Sequence, residues 1–136
     1  MLDLAPFSAL ITSPPYVNRY DYTRTYCLEL CFGFVRDFAE LRALRHSLLR
    51  SHIESQVAAD ERPPHGAIAE VVDSLAGHAL NNPRIPQMLT AYFTDMAEAI
   101  AVWSRVLGPG AQAAVVVDNV RFHGEHIPVD LVLSPS

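Results

Sequence analysis

Ala113-Ala114-Val115-Val116-Val117 decides the fold of this chain. It is an unbroken apolar run, β-branched toward its end, with no alternation of polar and apolar positions. A strand buried on one face alternates; a strand buried on both faces does not, and strands of the second kind belong to parallel sheets. The run is preceded by Gly108-Pro109-Gly110, which reads as the stop signal of a helix. Before it, Ile85, Leu89, Tyr92, Phe93, Met96, Ile100, Trp103 and Leu107 recur at three- and four-residue spacing for more than six turns. That is the apolar stripe of a long amphipathic helix. Asn81-Asn82-Pro83 supplies a cap residue and a first-turn proline for its start.

A second strand lies near the N-terminus. Phe7 to Ser13 is a short run expected to be buried, and Pro14-Pro15 stops it. Strand, helix and buried strand together make a right-handed crossover of a parallel sheet. In such sheets, chemistry is found beyond the carboxyl ends of the strands. Two segments fall there: Ser13-Pro14-Pro15-Tyr16 and Asp118-Asn119. Between them, Asp21 to about Phe34 reads as a helix with Tyr22, Tyr26, Leu30 and Phe34 on one stripe. Phe38, Leu41, Leu44, Leu48 and Leu49 form a second helical stripe. Ala59 to Gly66 reads as a loop and Ala67 to Leu80 as a weak helix. From Pro128 the pattern is helical again.

The Pro-Pro turn is chemically unusual. Two prolines fix two φ angles and remove two backbone donors, while both carbonyls remain acceptors. Each also pushes its predecessor out of the helical region. A hydroxyl on one side and an aromatic ring on the other complete a rigid, acceptor-rich, donor-poor cup. Such a cup suits an amino group presented by a planar molecule. The plainer reading is a strand-ending turn with a packed Tyr16.

The chain has 136 residues, half of them apolar, which suits one domain with a sizeable core. No apolar run approaches a membrane span, and no basic region precedes an apolar N-terminal stretch. A cytoplasmic location without membrane contact is the expectation. Net charge is −5 and every cation is Arg. An acidic chain is a poor match for a phosphate backbone, but the segment from Arg19 to Arg50 is locally basic. Arg42, Arg45 and Arg50 either contact nucleic acid or pair along a solvated helix face. Cys27 and Cys31 share a helix face and read as small buried hydrophobes of a reducing compartment. They lack the paired spacing of a metal site.

Thr12-Ser13-Pro14-Pro15-Tyr16-Val17-Asn18-Arg19-Tyr20-Asp21-Tyr22, continuing to Tyr26-Cys27-Leu28-Glu29-Leu30, resembles the target-base motif of amino-group DNA methyltransferases. Three later pieces are also similar to that family: Tyr92 to Met96 with Arg105 to Gly110, Val115 to Asn119, and Gly124 to Asp130. The resemblance covers about positions 8–34 and 88–133. It implies a single partial catalytic domain over residues 1–136. The implied class is α/β: a partial Rossmann-like methyltransferase fold of parallel strands with crossover helices and a helical insertion at about 37–82. It implies methyl transfer from S-adenosylmethionine to an exocyclic amino group of DNA, as in restriction-modification. Ser in the first motif position leans toward cytosine-N4 over adenine-N6. Ser13, Pro14, Pro15 and Tyr16 take the catalytic role; Asn18, Arg19, Asp21, Tyr22, Asp118 and Asn119 are candidate substrate contacts. Asp21 reads equally as a helix cap.

One departure matters. The family holds its methyl donor in a Phe-x-Gly-x-Gly loop after a strand. Phe32-Gly33-Phe34 sits in a helical pattern and lacks the second glycine; Gly108-Pro109-Gly110 follows a helix. The expectation is therefore half of a catalytic domain: a piece, a truncated gene product or one subunit of a split enzyme. Its partners would be DNA and a second polypeptide or missing segment carrying the donor-binding half, and exposed sheet edges would also allow a homo-oligomer. The competing expectation is a non-catalytic module that binds nucleic acid or a protein. A third, methylation of a protein Gln amide, uses a similar cup with Asn where this chain has Ser13.

Overall fold

The computed structural model describes residues 6–54, 57, 61–64 and 66–134. In chain order the elements are β1 (Phe7–Thr12), α1 (Tyr22–Thr25), α2 (Cys27–Gly33), α3 (Phe38–Ser47), α4 (Gly66–Ala76), α5 (Ile85–Val106), β2 (Leu107–Val115), β3 (Val120–Phe122), β4 (Glu125–Ile127) and α6 (Val129–Leu133). β1 and β2 pair in parallel, as the apolar run predicts, and β3 and β4 form an antiparallel hairpin. The chain is thus mixed α/β, with a two-stranded parallel sheet connected through helices.

The long helix forms where its stripe predicts. It starts at Ile85 rather than at Pro83; Pro86 is the proline of its first turn, and Asn82 Oδ1 accepts from Arg84 N at 2.9 Å. Its other end differs more. Gly108-Pro109-Gly110 does not separate helix from strand but lies inside β2, which begins directly after Val106. Phe7 faces Leu107 and Ala9 faces Gln112, so two steps along β1 are matched by five along β2. Pro109 cannot donate to a ladder, and Gly110 has φ 76. The segment is therefore absorbed as a bulge.

Neither strand of the parallel sheet is buried, against expectation. Ile11 is 84% exposed, and Phe7, Val115 and Val116 are exposed as well. An apolar run records what a strand buries in its complete setting. Among the described residues only two strands are present to form this sheet, so the covering layers are incomplete. The Asp21–Phe34 helix is two helices: the backbone leaves helical geometry at Tyr26 (φ −100, ψ 24), although the side-chain stripe continues across the break. Cys31 is exposed and Cys27 half-buried, both as free thiols, so the pair does not pack as core. The loop expected at Ala59–Gly66 lies partly outside the described residues, and Gly66 already opens α4.

The core lies beside the sheet. Ile85, Met88, Leu89, Tyr92, Phe93 and Met96 line the first half of α5 and pack with Ile68 and Leu75 of α4. Phe122 and Ile127 of the hairpin, Val129 of α6 and Val17 close the cluster. The hairpin turns on His123 (φ 49) and Gly124 (φ 88). Two successive left-handed residues give the twist that a two-residue hairpin needs.

One polar knot fastens α5 to the segment before α4. Arg50 donates from its backbone N to Asp95 Oδ2 at 2.8 Å and from its guanidinium to Asp95 Oδ1 at 2.6 Å. It also forks onto Glu61 with two contacts of 2.7 Å and reaches Ala91 O at 3.4 Å. These bonds raise the Arg50 pKa above its ordinary value. Asp95→Ala should cost roughly 1.5–3 kcal/mol, the range for a charged hydrogen bond. Chemical denaturation checks this, and an unchanged unfolding midpoint would show the knot to be incidental.

Candidate functional site

Thr12 O accepts from Val116 N at 2.9 Å, so parallel pairing runs to the carboxyl ends of both strands. Ser13-Pro14-Pro15-Tyr16 and Val117-Asp118-Asn119 leave those ends side by side. This is the juxtaposition expected of the two candidate segments.

Within the first segment Pro14 is buried, Pro15 and Tyr16 are half-buried, and Ser13 is exposed. Ser13 Oγ and Tyr16 Oη lie 3.2 Å apart, with either able to donate. The ring thus curls back over the prolines and closes the cup on its own hydroxyl. Val17, the next residue, is fully buried in the core cluster. The cup is tied to packed structure on one side and to the strand ladder on the other.

The following residues are largely occupied in shaping the loop. Asn18 N donates to Tyr16 O at 2.8 Å, and Asn18 Oδ1 accepts from Tyr20 N at 3.1 Å. That is a side-chain-closed turn. Arg19 holds a left-handed backbone with φ 71, and its guanidinium carbon lies 5.7 Å from the centre of the Phe122 ring. Tyr22 meets Tyr20 edge-on at 4.9 Å and stacks on Tyr26 at 6.4 Å.

Asp21 caps α1. Its Oδ1 accepts from Thr23 N at 2.9 Å, Thr23 Oγ1 at 2.6 Å and Arg24 N at 3.3 Å. Its Oδ2 has no hydrogen-bonding partner in good geometry, but Arg45 Nε sits 3.0 Å away as an ion pair. Burial would raise the Asp21 pKa; the Thr23 bond and the Arg45 charge outweigh it and hold the carboxyl below its ordinary value. Arg45 also donates to Thr23 Oγ1 at 2.9 Å and pairs with Glu54. Arg45 and Arg50 are therefore engaged internally, and of the three expected nucleic-acid contacts Arg42 alone is exposed.

Across from the cup, Asp118 is exposed, and Asn119 Oδ1 accepts from Asp130 N at 3.1 Å, fastening the start of α6. Sequence reasoning assigned Tyr92 to the stripe and missed its hydroxyl. Tyr92 is fully buried, and its Oη has no partner among the described residues. Burial drives its pKa up, and the neighbouring phenols Tyr22 and Tyr16 add to the effect. A hydroxyl-bearing residue in the middle of an apolar stripe is the signal that could have marked it. Among the described residues no three His, Cys, Asp or Glu side chains are grouped to hold a metal ion. No described helix is long and apolar enough to cross a membrane.

Comparison with known proteins places the chain in context. It is 40% identical over 140 residues to the type II methyltransferase M.AvaI of Nostoc sp. and to that of Anabaena variabilis. It is 35% identical over 150 residues to the type II methyltransferase M.BsoBI of Geobacillus stearothermophilus. These alignments cover 94% and 93% of the chain but 29% of each relative. No family model and no solved structure matches it.

Two measurements check this geometry. Asp21 has a lowered folded pKa, so its stabilisation is present above the unfolded carboxylate value of about 4 and is lost as pH falls through the folded value. Asp21→Asn should flatten that acid limb in a melting-temperature series. Tyr92→Phe removes a buried hydroxyl that lacks a partner, so the chain should unfold at equal or higher temperature, by up to about 1 kcal/mol. A clear loss of stability would mean that the hydroxyl is bonded in solution.

Proposed function

We propose that this chain, which is similar to type II methyltransferases over a segment spanning about 29% of the length of the curated relatives it matches, is the base-holding part of a DNA methyltransferase. The observation that carries this reading is the position of Ser13-Pro14-Pro15-Tyr16. It leaves the carboxyl end of a strand paired in parallel, beside the segment leaving the neighbouring strand.

The chemistry follows from the cup. An exocyclic amino group is a weak nucleophile because its lone pair is delocalised into the base ring. Donating both N–H bonds to fixed acceptors draws the nitrogen toward tetrahedral geometry and frees the lone pair for an electrophilic methyl. Ser13 Oγ and the Pro14 carbonyl are the acceptors in this reading, and the Tyr16 ring is the stacking surface. The base must be flipped from the duplex, at a cost of a few kcal/mol; aromatic stacking offsets roughly 1–3 kcal/mol of it. No strong base is needed, because alignment supplies most of the rate. Cytosine-N4 is the favoured target because Ser13 fills the first motif position, with adenine-N6 next. Asn18, Arg19, Asp21, Tyr22, Asp118 and Asn119 form the surrounding substrate contacts, with Asp21 acting through its cap and Arg45.

S-adenosylmethionine is the donor that this reading implies, and the described residues do not fit it. Gly33 closes α2 and Gly108 and Gly110 lie within β2, so no glycine turn joins a strand to a helix. The donor site is assigned to another segment or polypeptide. The sheet faces left uncovered at Ile11 and Val116 are suited to its packing. The whole would be a Rossmann-like methyltransferase domain, with residues of about 37–82 as a helical insertion. The uncovered sheet and absent glycine turn also favour a second reading, a non-catalytic module that binds nucleic acid or a protein.

Methyl transfer to duplex DNA, assayed with the donor-binding part present, separates the two. Ser13→Ala should lower kcat/KM by roughly 10–100-fold, the value of one hydrogen bond of about 1.5–3 kcal/mol. Tyr16→Ala should lower it by a similar factor through lost stacking, and Tyr16→Phe, which keeps the ring, by only a few-fold. Wild-type protein that binds DNA but transfers no methyl would favour the module.

A further inference from the structure

A cavity of about 350 Å³ opens between the loop after the Pro-Pro turn, the α4–α5 junction and the β3–β4 hairpin. Arg19, Arg121, His123 and Asn81 form its polar wall, and Ile85 and Phe122 line it with apolar surface. Among the described residues no carboxylate lines it. In a chain of net charge −5 this is an unusual place. Arg24, Arg36, Arg45 and Arg50 are each paired with a carboxylate; Arg19 and Arg121, like Arg42, Arg62, Arg84 and Arg105, form no ion pair among the described residues, and these two alone of the unpaired arginines share this cavity.

The cations are also positioned. Arg19 takes a left-handed backbone, which a long side chain rarely adopts without cause. Its guanidinium then lies against the Phe122 ring, which fixes its direction. Arg121 and His123 are presented by a tight two-residue hairpin, and the His123 ring lies 4.8 Å from that of His78. Ile85 brings the first turn of the 22-residue α5 to the same wall, and with it the positive end of the helix dipole. Guanidinium groups match phosphate oxygens in geometry as well as charge. Arg19 is three residues beyond Tyr16, a chain path of at most about 10 Å, so one strand can reach both.

We propose that this cavity seats a backbone phosphate of the nucleic-acid strand whose base is held at Ser13–Tyr16. The proposal rests on the base-holding reading and adds to it the hairpin residues Arg121 and His123. The seat fixes the strand beside the cup; it carries no sequence information itself.

The test is fluorescence anisotropy of a labelled duplex with the assembled protein, titrated at several salt concentrations. Arg121→Gln should weaken binding by roughly 5–50-fold and make the slope of log K against log salt shallower by about 1. Arg121→Lys, which keeps the charge, should retain the slope, and this variant guards against a folding defect. Arg105→Gln removes the same charge from the last turn of α5 and should leave the slope alone. If wild type binds DNA and Arg121→Gln keeps both affinity and slope, the seat is overturned while the base-holding reading stands. If wild type binds no nucleic acid, both fall. If inorganic phosphate protects against thermal unfolding in an Arg121-dependent way while DNA binding ignores Arg121, the cavity serves free phosphate and the strand seat is overturned.

Discussion

Burial of the first half of α5 is the contact on which the rest of the chain depends. Ile85, Met88, Leu89, Tyr92, Phe93 and Met96 leave almost no surface to solvent, and each fully buried side chain of this kind stabilises by about 1.5–3 kcal/mol. The cluster does more than stabilise. It includes Val17, one residue after the Pro-Pro-Tyr turn, and Phe122, on which Arg19 rests. Both sides of the loop that follows the cup are therefore referred to one packed body. A rigid turn on a floating loop would hold its acceptors in no fixed place. Here the strand ladder fixes the entry and Val17 fixes the exit.

The parallel sheet stands in the opposite condition. Its strands are apolar and exposed, and the second half of α5 is exposed with them at Val102 and Val106. Phe32 of α2 and Phe34 just after it are 91% and 81% exposed as well. Apolar residues scattered singly need no explanation, but contiguous ones do. The division is physically sensible: the body that positions the cup is internally satisfied, and the surface awaiting a covering layer lies elsewhere. Homology over 29% of longer relatives accords with that division.

What was legible in the sequence was what depends on local pattern. The stripe of α5 is a periodicity, the parallel pairing is a missing alternation, and the prolines are a stop. Each survived in the structure because no distant residue overrides it. Exposure was not legible. Val115 and Val116 read as doubly buried because a strand's composition reflects its full surroundings, and among the described residues both are left exposed. Gly108-Pro109-Gly110 misled for a related reason: glycine and proline announce a break in regular geometry without saying whether it is a loop or a bulge. The hairpin went unseen because His123 takes a left-handed position usually given to Asn or Gly. In the site, the location of Ser13–Tyr16 was readable, but the engagement of Asp21 with Arg45 and of Arg50 with Asp95 was not. Those pairs join residues 24 and 45 positions apart, and charge sign alone cannot choose among ten arginines.

The pairing of charges bears directly on function. In the proposed reading, an acidic chain that approaches a phosphate backbone cannot rely on net attraction. Four of its ten arginines are neutralised by internal ion pairs, and, among the described residues, two of those left unpaired line a single cavity. Arg24, Arg36, Arg45 and Arg50 are held by carboxylates; Arg19, three residues beyond Tyr16, and Arg121 line one cavity. In that arrangement the general charge of the surface discourages indiscriminate binding, and attraction is concentrated where a strand would have to lie for its base to enter. The cup is acceptor-rich, its two hydroxyls facing each other at 3.2 Å, so it has little to offer an anion. The cations supply only donors, so they have nothing to offer an amino group. On the same proposed reading, two sites of contrasting hydrogen-bonding character, with Arg19 three residues beyond Tyr16, would meet the two ends of a nucleotide, and the core that holds Val17 and Phe122 ties both to one packed body.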